Sequence, residues 1–194
     1  RAVREAVDLP VLCKDFMLRP RQLLEARRQG ADCILLIVAA LEPPRLREMV
    51  KEAQALGLHI LCETHTEHEI ERALAAGARI IGVNNRDLHS FEVDVQRAIR
   101  LRSQVPKAFT YVAESGIRSR EEVQAIRAAD VDAIERRNLD GEGAAPGLEE
   151  LLVGDVPGDV IHWSWLLRGP LREQLRVLEF RRLRHPIDLA SWLR

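Results

Sequence analysis

The chain has 194 residues, of which 46% are hydrophobic and 30% are charged, and its formal net charge is −1. A near-neutral charge gives no electrostatic reason to expect nucleic acid or an anionic membrane as a partner, because proteins that bind them usually carry a basic excess. No apolar stretch reaches the roughly 18 residues that a membrane-spanning helix needs, so a cytoplasmic protein with one large domain, alone or with an appendage, is expected.

Short apolar segments rich in β-branched residues alternate with longer segments of helical period as far as about residue 134. Strands are predicted at 10–14, 33–38, 59–63, 79–84, 110–114 and 131–134. Helices are predicted between them, near 19–30, 44–57, 66–77, 92–103 and 118–129. This alternation is typical of an α/β fold, in which crossover helices join the strands of a parallel sheet.

One kind of junction recurs between a helix end and the next strand. A residue that tolerates a positive φ stands at each junction: Gly30, Gly57, Gly77 and Asp130. Such residues terminate helices in the left-handed conformation, so the repetition predicts a repeated βα unit. It favours a (β/α)8 TIM barrel over a doubly wound sheet, since no Gly-x-Gly-x-x-Gly follows any strand, but the doubly wound sheet remains an alternative.

Polar side chains end four of the predicted strands: Lys14, Glu63, Asn84 and Glu114. In a (β/α)8 barrel the carboxyl ends of the strands form the active-site mouth, so the four residues predict an active site there. A single polar residue at such a place is often only a rim residue, and the prediction depends on finding four.

Lys14 follows an apolar strand in a chain that contains only three lysines among its 29 basic residues. Lysine can change its protonation state in a buried site, whereas arginine cannot, so Lys14 and Glu63 form a candidate acid and base pair. The alternative is that Lys14 only forms an ion pair with Asp15 or with another neighbouring carboxylate.

The loop after the strand at 110–114 contains Ser115 and Gly116 and leads into a helix. Backbone N–H groups at such a place can bind a phosphate. The alternative is an ordinary turn, with Ser119 capping the helix and Glu122 completing a capping box.

Two further sets of residues invite a metal or disulfide interpretation, which we consider weaker. His65 and His68 lie three residues apart beside Glu63 and Glu69, but the segment is better explained as a charged helix start. The cysteines are three in number and have no Cys-x-x-Cys spacing, so they are expected to be buried free thiols: Cys13, Cys33 and Cys62.

Five segments resemble the indole-3-glycerol-phosphate synthase family of tryptophan biosynthesis: 10–16, 35–41, 81–88, 91–94 and 113–117. The resemblance implies a TIM barrel that uses no cofactor and no metal. It also implies ring closure of 1-(2-carboxyphenylamino)-1-deoxyribulose 5-phosphate to indole-3-glycerol phosphate, with loss of carbon dioxide and water. A phosphorylated small molecule is then the expected ligand, and other tryptophan-pathway enzymes are candidate partners.

The resemblance also implies roles for individual residues. Lys14 matches the general acid of the family, and Glu63 matches its acid/base partner in the dehydration. Asn84 and Glu114 match residues that bind the substrate hydroxyls, with Arg86 in support. The remaining matches are an apolar wall against the anthranilate ring, Phe16 and Leu35, and one half of the phosphate site, Ser115 and Gly116.

The chain departs from the family at both ends. The two strand–helix units that open the family's barrel are missing, so residues 1–134 are expected to form an incomplete barrel of about strands 3 to 7 and a degraded strand 8. At 135–138 the sequence is Glu-Arg-Arg-Asn in place of an apolar pair and a glycine-containing phosphate loop. Charged residues are not expected inside a barrel, so strand 8 should break at Glu135.

Residues 135–194 are expected to be a divergent tail, out of frame or fused, in which 166–183 could form an arginine-rich helix. The alternatives to the synthase are a catalytically inactive fragment or remnant of it, and another phosphate-binding TIM-barrel enzyme.

Overall fold

A computed structural model of the chain describes residues 10–135 and two short segments, 161–162 and 178–180. Within these residues the strands are β1 (Val11–Cys13), β2 (Cys33–Ile37), β3 (His59–Thr64), β4 (Ile80–Asn84), β5 (Thr110–Glu114), β6 (Ala133–Glu135), β7 (Ile161–His162) and β8 (Leu178–Phe180). The helices are α1 (Pro20–Arg28), α2 (Pro43–Ala55), α3 (Glu67–Ala75), α4 (Gln96–Leu101) and α5 (Arg120–Ala128). The predicted alternation of strands and helices is confirmed.

The predicted helix at 92–103 is shorter than expected. The helix α4 begins at Gln96, because the preceding residues form a loop in which Val93 makes an antiparallel bridge to Arg86. Asp94 then accepts a hydrogen bond from the Gln96 N–H at 3.1 Å, which satisfies a free amide at the helix start. A short 3-10 helix, Arg102–Gln104, continues α4 toward β5.

The sheet order excludes the doubly wound alternative. From β6 to β1 the strands lie in the order in which they follow each other in the chain, and each of these neighbouring pairs is parallel. A doubly wound sheet would reverse its order at a switch point. Consecutive βα units in one direction are part of a (β/α)8 barrel.

The expected junctions between helix and strand are present. The φ angles are 93° at Gly30, 67° at Gly57, 91° at Gly77 and 63° at Asp130. All four residues are in the left-handed region, where glycine carries no penalty and Asp is tolerated. The repeated turn predicted from the sequence is therefore confirmed.

Two expectations for the end of the chain are wrong at the residues that the structure describes. A charged residue was not expected inside the barrel, yet Glu135, the last residue of β6, pairs with Glu114 in the sheet and is fully buried. Residues 178–180 form β8, not a helix, and pair in parallel with β1, whose edge offers unpaired backbone groups. Apart from Glu135 and the two short strands, the predicted tail lies outside the described residues, and its origin stays a prediction.

The sheet separates two apolar layers. Residues from both sheet and helices fill the outer layer, among them Ile34, Leu36, Met49, Ile70 and Ile126. A smaller inner layer lies on the opposite face of the strands and contains Leu12, Cys33, Leu35, Ile37, Leu61, Val112 and Ala133. The inner layer identifies the face that a closed barrel would enclose. None of the helices in residues 10–135 has the length and apolarity that crossing a bilayer requires.

Candidate active site

Polar side chains continue the inner layer at the carboxyl ends of the strands. Successive side chains of a strand point to opposite faces, so the position two residues beyond an inner apolar residue is again on the inner face. Two residues beyond Leu12, Leu61, Val112 and Ala133 stand Lys14, Glu63, Glu114 and Glu135. Asn84 ends β4 in register with Glu114. One face at one end of the sheet thus collects a lysine, an asparagine and three carboxylates.

Lys14, Glu114 and Glu135 are in direct contact, and we refer to them as the Lys14 cluster. The Lys14 Nζ lies 3.4 Å from Glu114 Oε2 and forms a closer ion pair with Glu135 Oε1. Both glutamate side chains are fully buried, and the Lys14 side chain is 12% exposed. One ammonium group therefore faces two carboxyl groups that water does not reach.

The carboxyl group of Glu114 lies directly over Gly82 of β4. A Cβ atom at Gly82 would come within 1.8 Å of Glu114 Oε1, so only glycine leaves room for this side chain. Burial raises the pKa of Glu114 well above its ordinary range, and the charges of Glu135 and Glu63 raise it further, while Lys14 lowers it. Glu114 therefore retains its proton to a higher pH than an ordinary glutamate does.

Glu63 is held differently, by neutral groups of the next strand. The Asn84 Nδ2 donates a hydrogen bond to Glu63 Oε1 at 3.1 Å, and both residues are buried. Asn84 is oriented in turn, because its Oδ1 accepts the backbone N–H of Arg86 at 2.9 Å. We refer to Glu63 and Asn84 as the Glu63 pair.

His65 connects the Glu63 pair to the start of α3. Its Nε2 lies 3.6 Å from Glu63 Oε1, and its Nδ1 lies 3.4 Å from Glu69 Oε2, which also accepts the backbone N–H of His65 at 2.7 Å. Burial by itself would raise the pKa of Glu69, but the hydrogen bonds from His65 outweigh it and the pKa is lowered. His68 is exposed beside Glu71, and no cluster within the described residues could hold a metal ion.

The two residues predicted to form an apolar wall lie on the inner face. Leu35 is buried in the inner layer, and Phe16, which is half-buried, packs against that layer. The loop holding Phe16 is fixed by two hydrogen bonds, since Phe16 N–H donates to Asp15 Oδ1 at 2.8 Å and Gln22 Nε2 donates to the Phe16 carbonyl at 2.7 Å.

Ser115 and Gly116 form a tight turn immediately after β5. Both have positive φ, 64° and 75°, and a Cβ at Gly116 would come within 2.0 Å of Val93 Cγ1. Asn85 supports the turn, because its Nδ2 donates to the Ser115 carbonyl at 3.1 Å while its Oδ1 accepts the Ala98 N–H at 3.1 Å. The turn is thus tied to β4 and α4.

The start of α5 is capped as the alternative interpretation of this segment predicts. Ser119 and Glu122 form the expected capping box. Glu122 Oε2 accepts the N–H groups of Arg118 and Ser119, at 2.6 Å and 3.0 Å. The N–H groups of Arg118 and Ser119 are therefore already engaged and are not open to a phosphate bound here.

Arg86 contacts the polar residues of the inner face only through its backbone. Its guanidinium Nη1 donates to the Phe91 carbonyl at 3.1 Å, within its own loop. Its backbone N–H orients Asn84 as described above. Among the described residues, the side chain of Arg86 is thus engaged by the loop, not by the carboxylates.

Sequence reasoning missed Gly82 and Glu135 as residues that shape this site, and it noted Asn85 and His65 without the contacts described here. Glu135 was expected to break its strand, although its position two residues after Ala133 places it on the inner face like Glu114 after Val112. The alternation of the strand was therefore the available signal. The roles of Gly82, Asn85 and His65 depend on contacts between strands, for which no local pattern exists.

Comparison with known proteins shows similarity to one enzyme family. The sequence model of indole-3-glycerol phosphate synthase matches residues 1–135. Among curated relatives of that name, the protein of Ruminiclostridium cellulolyticum is 48% identical over 132 residues, covering 68% of this chain and 51% of the relative. That of a Parafrankia species is 49% identical over 146 residues, covering 75% and 53%. That of Chloroherpeton thalassium is 47% identical over 143 residues, covering 74% and 54%.

The chain spans about half the length of the curated relatives that it matches. The family model nevertheless covers well over half of the chain, including each residue of the Lys14 cluster and of the Glu63 pair. The chain belongs to the indole-3-glycerol phosphate synthase family.

Proposed function

We propose that the protein to which this chain belongs converts 1-(2-carboxyphenylamino)-1-deoxyribulose 5-phosphate to indole-3-glycerol phosphate. The observation that carries the proposal is the meeting of Lys14 with buried carboxyl groups on the inner face, within a chain of this family. The reaction closes a five-membered ring and releases carbon dioxide and water, so it needs an acid at a carbonyl and acid/base help at a hydroxyl.

Lys14 is the proposed acid. Its ammonium group, opposed by Glu135 and Glu114, is held at the carboxyl end of the sheet and is still partly exposed. An ammonium group in such a place can donate to the ribulosyl carbonyl oxygen while the new carbon–carbon bond forms. Its carboxylate neighbours keep the side chain directed inward.

Glu63 is the proposed acid/base group of the dehydration. Its Oε1 is held by Asn84 and faces His65, so its carboxylate has a fixed orientation within a buried site. A fixed carboxylate can accept the proton that leaves the ring and return it to the departing hydroxyl. Asn84 then serves both the substrate hydroxyls and the alignment of Glu63.

The remaining residues would bind the substrate. Leu35 and Phe16 lie on the inner face, where they would pack against the anthranilate ring. Glu114 and Arg86 would contact the ribulosyl hydroxyls, with Arg86 released from the Phe91 carbonyl. The phosphate would rest on the turn of Ser115 and Gly116. A phosphorylated small molecule is thus the proposed ligand, the cytoplasm the proposed compartment, and other tryptophan-pathway enzymes the proposed partners.

An assay of indole-3-glycerol phosphate formation tests the proposal. The first two strand–helix units of the Ruminiclostridium cellulolyticum relative are joined before Arg1, and product formation by the extended chain is expected. Lys14→Ala should lower the rate by about 100-fold or more, since a general acid typically contributes that much. Lys107→Ala is the matched control, because this lysine is exposed beside Asp130 and should leave the rate unchanged.

The outcomes separate the synthase from its alternative. An extended chain that forms product, but keeps its rate after Lys14→Ala, would refute the acid assignment. An extended chain that folds and forms no product would favour the alternative, a catalytically inactive remnant.

A further inference from the structure

The Lys14 cluster has more carboxyl groups than cations. Glu114 and Glu135 lie side by side in the sheet, both fully buried, and Lys14 contacts both of them. Within the described residues, Glu114 Oε1 and Glu135 Oε2 are buried and accept no hydrogen bond. Each carboxyl group therefore has one oxygen directed toward Lys14 and another that no described donor satisfies.

Charge balance shows what this arrangement requires. If Lys14 is an ammonium and both glutamates are ionised, the three groups have a net charge of −1, and both carboxylates are fully buried. An uncompensated buried charge is unfavourable, and two neighbouring carboxylates avoid it by retaining one proton between them. The cluster then consists of one ammonium, one carboxylate and one carboxylic acid, and its net charge is zero.

The contacts indicate which glutamate keeps the proton. Glu135 forms the closer ion pair with Lys14, whereas Glu114 Oε2 is 3.4 Å from Nζ. The other oxygen of Glu114 lies against Gly82, and no described donor satisfies it. We propose that Glu114 is a neutral carboxylic acid at neutral pH, and that Glu135 is the positioning residue that keeps it so by occupying Lys14.

The groups around Glu114 agree with this assignment. The charged groups that act on it are Lys14 beyond β1, Glu63 at the end of β3 and Glu135 at the end of β6. Two of the three are carboxylates, and together with burial they raise the pKa of Glu114 against the single opposing influence of Lys14.

The assignment changes what Glu114 can offer a ligand. An ionised glutamate only accepts hydrogen bonds, whereas a carboxylic acid donates one. On the proposed function, Glu114 would then donate to a hydroxyl or carbonyl oxygen of the substrate, and the site would contain a second acid beside Lys14. The resemblance noted from the sequence assigns no such role to Glu135.

Infrared spectroscopy of the 194-residue chain at neutral pH tests the assignment, because a protonated carboxyl has a carbonyl stretching band that carboxylates lack. The band is expected in the unaltered chain and should disappear in Glu114→Gln. It should also disappear in Glu135→Gln, since the cluster then contains one carboxyl group beside the Lys14 ammonium and is neutral with Glu114 ionised. Glu69→Gln is the matched control and should keep the band, because Glu69 is ionised beside His65.

Three outcomes would overturn the proposal: no band in the unaltered chain, a band that survives Glu114→Gln, or a band that survives Glu135→Gln. The first needs no variant, so the test does not depend on how well the variants fold. The spectrum also needs no turnover. An inactive enzyme would therefore leave the protonation of Glu114 standing, and a missing band would leave the proposed reaction standing.

Discussion

The carboxyl end of the sheet has two halves, one at β3 and β4 and one at β5 and β6, which stabilise buried carboxyl groups in different ways. At β3 and β4, Glu63 accepts a hydrogen bond from the neutral amide of Asn84. At β5 and β6, Glu114 and Glu135 share the single ammonium group of Lys14. Two neighbouring carboxyl groups beside one cation disfavour the ionisation of both, whereas the Glu63 pair contains only one carboxyl group. The same residue type is thus held in two different electrostatic environments within one site.

Lys14→Met should have the largest effect on stability. It leaves two buried carboxyl groups without a cation, and removing one partner of a buried ion pair typically costs about 3–5 kcal/mol. Urea unfolding of the chain at neutral pH measures this loss. Lys107→Met, which removes an exposed lysine paired with Asp130, should change the free energy of unfolding little. Equal effects of the two variants would show that the Lys14 cluster is not buried as described.

Asn84→Asp should place two buried carboxyl groups side by side in the Glu63 pair. The arrangement would resemble the Lys14 cluster, but without its lysine. The variant keeps the shape of the side chain and its contact to the Arg86 N–H, but it replaces a donor by a second carboxylate facing Glu63. The expected loss is about 2–3 kcal/mol at neutral pH. The loss should shrink as the pH is lowered, because a protonated carboxyl can donate to its neighbour again. A loss independent of pH would contradict the described contact.

Gly82→Ala should disturb the Lys14 cluster more than the neighbouring Leu61, whose Cδ1 would lie 3.0 Å from the new Cβ. The new Cβ would overlap Glu114 Oε1, and forcing atoms into a packed site costs about 1–2 kcal/mol. A double-mutant cycle checks the cause, since the same substitution in a Glu114→Ala background should cost much less. An undiminished cost in that background would mean that the glycine is required for another reason.

The features that were predictable from the sequence are those set by local patterns. The strands and helices follow from hydrophobic periodicity, and the turns follow from Gly30, Gly57, Gly77 and Asp130. The inner-face positions of Lys14, Glu63, Asn84 and Glu114 follow from the end of each strand, so the candidate site was visible before the structure.

Features that depend on distant partners were not predictable. Glu135 was expected to break its strand, yet its partner Lys14 lies 121 residues away in the chain and compensates its charge. The need for Gly82 arises only when the Glu114 side chain crosses it from the next strand. Likewise β8 forms by pairing with the edge of β1, and no property of residues 178–180 alone requires a strand.

The smallest predicted effect distinguishes the two halves by the sign of their pH dependence. The pKa of Glu69, which supports the Glu63 side through His65, is lowered, so its stabilising contribution is present above the ordinary pKa of glutamate and is lost as the pH falls through the lowered value. In Glu69→Gln, the decrease in the free energy of unfolding at acidic pH, which we call the acid limb, should be smaller by no more than about 1 kcal/mol.

The pKa of Glu114 is raised, so the opposite holds on the other side of the site. Below the ordinary pKa of glutamate the folded and unfolded chains both hold the Glu114 proton. As the pH rises toward the raised value, the unfolded chain releases its proton first, and stability falls. Glu114→Gln should remove this decline while leaving the acid limb in place. If both variants flattened the same limb, the two halves of the edge would not differ in protonation, and the contrast between them would fail.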